Sequence, residues 1–100
     1  GKEVLIRVIE KAKDYFNLDK WQFNQPIMVS TLSAEMDRVE GVQTISNLVV
    51  KNNVSIDSGY SGNVYDIEDA TFNNIIYPSQ DPMIFEVRYP EKDIRGKIVG

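Results

Sequence analysis

The sequence predicts an α+β fold: two N-terminal amphipathic helices packed on a small antiparallel or mixed β-sheet, with a long polar loop between the strands. Three observations carry this. Apolar residues recur at helical spacing in the first forty positions, β-rich alternating runs follow them, and a serine- and glycine-containing polar stretch separates those runs. At 100 residues and 42% hydrophobic content the chain makes one domain with a modest core.

The first helix is expected over Glu3 to Phe16. Val4, Leu5, Val8, Ile9, Ala12, Tyr15 and Phe16 fall on one face, and Lys2, Arg7, Glu10, Lys11, Lys13 and Asp14 on the other. Ile6 departs from this pattern; a single exposed apolar residue is ordinary, and on a helix it can also mark contact with a second chain. After Asn17 the connection is short, and Trp21 and Phe23 alternate with Gln22 and Asn24, so both rings share one face of an extended segment.

Pro26 disfavours helix at Gln25, so Ile27-Met28-Val29 should arrive extended. Ser30 reads as the N-cap of a second helix carrying Leu32, Met36 and Val39, with Gly41 as its stop and Val42 folding back over the last turn. Val42 to Asn52 is a strand candidate, since Leu48-Val49-Val50 is apolar on both faces and β-rich. Val54 to Asn63 is polar and reads as an exposed loop. Asp66 caps a short helical turn through Phe72, with Asp69 at its third position. Tyr77 to Pro82, YPSQDP, is a turn or rigid link. Met83 to Tyr89 then alternates as a half-buried strand, Pro90 ends it, and Asp93 to Gly100 forms an exit tail.

Charge and composition narrow the function. The chain has 11 basic and 15 acidic side chains, net −4, with six acids and no base between Lys51 and Arg88. Phosphate binding relies on clustered Lys and Arg, so nucleic acid is disfavoured, and a polybasic membrane patch is absent for the same reason. There is no cysteine and no histidine, which removes disulfides, thiolate chemistry, Cys-based zinc sites and the side chain that titrates closest to neutrality. No apolar run reaches the length of a membrane span and no secretion signal is visible, so the expectation is a soluble chain made inside the cell. A start at Gly1 with almost immediate entry into a helix points to a fragment of a longer polypeptide.

Sites of chemistry are sparse. Counted from Asp57, a calcium loop would place Ser61, Gly62 and Glu68 at usable positions, but Gly59 stands where a side-chain ligand is needed and no helix precedes it. The bland reading of Asp66, Glu68 and Asp69 is a solvated acidic loop. No spacing singles out a carboxylate pair for glycoside hydrolysis, and no nucleophile and base constellation exists. Asn53-Val54-Ser55 matches the glycosylation acceptor pattern without a secretion signal to give it meaning. Tyr15, Trp21 and Phe23 fit a core better than a stacking platform, although an exposed Trp21 would be an interface anchor. Metal and cofactor are therefore not expected.

Two stretches resemble a known family. The helix ending in YFN, then KWQFNQPIMVS, then a helix closing with RVEGVQTI, resembles the C-terminal part of baseplate J-like proteins from contractile phage tails. YDIEDAT followed by IIYPSQDPMIFEVRYPEKDIRG is similar, more specifically, to the C-terminal end of wedge proteins in the baseplates of large myophages. The resemblance covers nearly the whole chain. It implies a structural, non-catalytic domain of the virion, assembled in the host cytoplasm, that self-associates as a homodimer and touches other baseplate wedge proteins. The patch expected to mediate this is Ile6, Trp21, Phe23, Leu48, Val49 and Val50, apolar groups that the helix and strand patterns do not need internally. The alternative is a small adaptor that uses the acidic loop 57-69 to bind a cation or a basic peptide.

Overall fold

The computed structural model describes residues 1–79 and 83–98. It shows an α+β domain in which helices pack with a three-stranded antiparallel sheet. Helix α1 spans Lys2–Tyr15, β1 Ile27–Met28, α2 Val29–Asp37, β2 Thr71–Phe72, β3 Ile75–Ile76 and α3 Pro90–Asp93, with short 3₁₀ turns at Leu18–Lys20 and Ile56–Ser58.

Helix α1 follows its apolar periodicity and complements its dipole, with Glu3 in the first turn and Lys13 in the last. Lys13 joins the two ends of the described chain, since its ammonium reaches Glu10 at 3.2 Å and Glu91 of α3 at 2.8 Å. Asn17 ends the helical run with its side-chain oxygen accepting from the Asp19 amide.

Helix α2 begins one residue before the cap expected at Ser30. Its first amide, at Val29, donates to the Asn74 carbonyl at 2.9 Å, while the Met28 amide donates to the Tyr15 hydroxyl oxygen at 2.8 Å. Tertiary partners thus satisfy two of the orphan donors at the helix start in the absence of a side-chain cap, and Ser30 lies exposed in the first turn. The helix also stops at Asp37, earlier than Gly41. The Asp37 carboxylate accepts from the Ile45 amide at 2.9 Å and turns the chain back. Gly41 closes the ensuing turn at φ +95, and a Cβ there would stand 2.7 Å from a methyl of Val4, so glycine is required by conformation and by the closeness of α1.

The sheet order is β1-β3-β2, with Ile27 opposite Ile76 and Phe72 opposite Ile75. β2 and β3 form a two-residue hairpin through Asn73 and Asn74, both at positive φ (52 and 61). Such turns match the twist of paired strands and tolerate asparagine. This hairpin replaces the helix expected to run to Phe72. The Asp66 cap itself is present, its carboxylate accepting from the Asp69 amide at 3.1 Å, but it serves one turn that hands over to β2.

Two further expectations change. Val42 to Asn52 is not a strand: Ile45 and Leu48 pack into one core cluster and Val50 into another, so its side chains bridge two cores and its backbone meets no neighbouring strand among the described residues. Met83 to Tyr89 forms no ladder either. Its alternation survives through Val87, with Met83, Phe85 and Val87 half-buried and Ile84, Glu86 and Arg88 exposed. Asn24, at φ 60, clips the start of this segment through its amide to the Met83 carbonyl (2.7 Å) and its side-chain oxygen to the Met83 amide (3.1 Å). The end of the YPSQDP link and the last two residues of the tail lie outside the described residues. In the tail Ile94 packs at the core margin and Gly96 lies against Leu5 of α1.

Among the described residues the core consists of two small clusters. Ala12, Leu32 and Met36 sit between α1 and α2, and Trp21, Ile27 and Ile76 sit under the sheet. Tyr15 and Phe16 touch both and join them. Burial pushes the Tyr15 phenol above its ordinary value of 10.0, outweighing the Met28 amide, which favours the phenolate. A folded-state value raised above the unfolded one gives stability that is intact below about pH 10 and lost as the pH climbs through the raised value. Urea midpoints should therefore hold level from about pH 8 to 9 and fall above about pH 10, with Tyr15→Phe flattening part of that fall.

Candidate interaction surface

The six residues expected to form one patch separate in three dimensions. Trp21 is a core residue at 7% exposure, stacked on Phe16 with ring centroids 5.5 Å apart and met edge-on by Tyr15 at 5.4 Å. The reason is local: the 3₁₀ turn after α1 folds Trp21 back onto the aromatic pair that ends the helix. Phe23, two residues on, is 72% exposed, because the turn at Gln22–Gln25 and the left-handed Asn24 break the extended geometry that would have kept both rings together. Leu48 and Val50 are half-buried, each against a different core cluster. Ile6, Phe23 and Val49 are exposed.

Val49 and Val50 border an open trough of about 570 Å³. Val54, Val64 and Ile67 complete its apolar lining, and Lys51, Asp66 and Glu68 give it charged edges. A smaller hollow of about 210 Å³ continues from it toward the sheet, sharing Val49, Val50 and Ile67 and reaching Val29 and Ile76. Neither Ile6 nor Phe23 borders either one. Val54 and Val64 are missed by a reading that treats this region as a polar loop. Their signal is the alternation of Val64-Tyr65-Asp66-Ile67, in which Tyr65 and Ile67 turn inward and Val64 and Asp66 outward.

The rest of the polar loop is anchored rather than open. The Tyr60 hydroxyl donates to the Asp93 carboxylate, Asp93 also accepts from the Tyr89 amide at 3.1 Å, and Arg88 donates to the Gly59 carbonyl at 3.0 Å. The Tyr60 and Tyr89 rings meet edge-on at 5.4 Å with the Lys92 ammonium about 6 Å from each. The bond to Asp93 raises the Tyr60 phenol above its usual range. Gly59, at φ +88, lets this latch close, since a Cβ would meet the Tyr89 hydroxyl at 2.0 Å.

Among the described residues no three carboxylates converge to hold a metal ion, and no helix is long and apolar enough to cross a membrane. What the surface offers chemically is apolar area, free backbone and a negative edge. Comparison with known protein families, with curated proteins and with solved structures finds no match for this chain.

Proposed function

We propose that this domain is a non-catalytic assembly module, a structural component of a contractile phage tail baseplate that associates with a second copy of itself and with neighbouring wedge proteins. The family resemblance of YDIEDAT and IIYPSQDPMIFEVRYPEKDIRG supplies the biological setting. The structural observation behind the reading is apolar surface left outside both cores: Val49 at 61% and Val64 at 82% exposure border one trough, and Ile6 stands exposed on α1. Exposed apolar surface gathered as it is around Val49 and Val64 marks an interaction site. Lack of histidine and cysteine leaves the chain without the commonest catalytic groups.

The experiment is molar mass by light scattering behind a sizing column, over roughly a hundredfold range of concentration so that a micromolar dissociation constant is seen. The mass should rise from monomer toward dimer. Ile6→Glu should hold it at monomer without lowering the melting temperature, because the side chain is solvent-facing on α1, away from the trough. A monomer at every concentration would count against self-association by this domain.

A further inference from the structure

We propose that the trough is an unfilled position in a β-sheet and that it binds an extended segment of a partner chain in which apolar and basic side chains alternate. From Ser46 to Lys51 no backbone N–H or C=O has a protein partner among the described residues, and the same holds for the backbone of Val64 and Tyr65. Both stretches show the period-2 burial of strands: Leu48 in, Val49 out, Val50 in, and Val64 out, Tyr65 in, Asp66 out, Ile67 in. They line one trough and are tied at one end by the Asn52 side chain, which donates to the Asn63 carbonyl at 3.3 Å. A β-rich segment with an unpaired backbone beside an apolar floor is a template for strand addition, in which main-chain bonds give affinity and alternate side chains give specificity.

Charge decides the occupant. Asp66 and Glu68 edge the trough against a single cation, Lys51, and from Asn52 to Val87 the chain carries six acids and no base. A second copy laid strand to strand here would bring an equally acidic rim against this one, and like charges in register are unfavourable. A partner strand with apolar side chains facing Val50 and Ile67 and basic side chains at the rim satisfies floor, backbone and edge together.

The test is amide hydrogen exchange, read by NMR on the whole domain with short synthetic peptides. A peptide alternating valine and lysine should slow exchange at alternate amides of the Leu48 to Lys51 stretch by about tenfold or more, since a strand added along one edge pairs with every second residue. An alternating valine and glutamate peptide should not. Nor should the valine–lysine peptide methylated on alternate backbone nitrogens, which keeps the side chains and removes the ladder. Glu68→Lys should weaken the protection several-fold while leaving the fold intact, since its side chain is exposed and the turn bond at Glu68 is made by its carbonyl. Equal protection by the methylated peptide, or none by the unmodified one, would overturn strand addition. Protection of the same amides that rises with protein concentration and needs no peptide would overturn the basic occupant in favour of a second copy. A domain that stays monomeric yet binds the peptide would refute self-association and leave this inference standing.

Discussion

Trp21→Ala should be the most damaging single substitution in the sheet-side core, costing about 3–5 kcal/mol and lowering the melting temperature by more than about 12 °C. The indole is 7% exposed and fills the space between Tyr15, Phe16, Ile27 and Ile76, so truncation empties a cavity that the short strands around it cannot collapse into. Its Nε1–H is buried without an acceptor among the described residues. Trp21→Phe removes this donor while keeping an aromatic ring, so it should cost under about 2 kcal/mol. Phe23→Ala, two positions along and 72% exposed, should change stability by less than about 0.5 kcal/mol. Chemical denaturation of the three variants checks the whole set, and a Phe23 effect as large as that of Trp21 would place the wrong ring in the core.

Leu32→Ala should be comparably severe, at about 3–4 kcal/mol, for a different reason. Leu32 is 1% exposed and packs with Ala12 and Met36 between α1 and α2, where Ala12 is already small and offers nothing to refill the space. Domains of this size commonly have only about 5–15 kcal/mol in total. The variant should therefore populate unfolded chain near physiological temperature, seen as loss of near-ultraviolet circular dichroism at a temperature where the parent keeps it.

How much of this was legible in the sequence differs by element for physical reasons. α1 and the α+β class were readable because helical periodicity is local. The left-handed glycine at 41 was readable because turn geometry is local, whereas its close approach to Val4 of α1 was not. The alternation of Met83 to Val87 and the Asp66 cap were also readable, yet neither revealed whether a ladder or a helix would follow, since that depends on what lies alongside. The strand expected at Val42 to Asn52 failed on that point: β-propensity is present, a paired neighbour is not. The hairpin Thr71–Ile76 had a signal, Asn73-Asn74 between two apolar β-rich pairs, that the nearby acidic cap overshadowed. Of the patch, Val49 and Val50 fall on the trough, whereas Trp21 and Phe23 required knowledge of how the turn between them divides their faces.

The pairing of Ile27 with Ile76 sets the order in which the domain should assemble. Contacts of Leu32 and Met36 with Ala12 join neighbouring helices, and the Asn73-Asn74 hairpin closes over two residues, so both are kinetically cheap. The β1–β3 register instead links Ile27 to Ile76, half the chain apart, and the entropy of closing that long intervening loop has to be met before the second cluster contributes. The helical pair and the hairpin should thus form early and dock late. Trp21, which waits for Ile76 to arrive, should belong to the last part of the structure to set and the first to open.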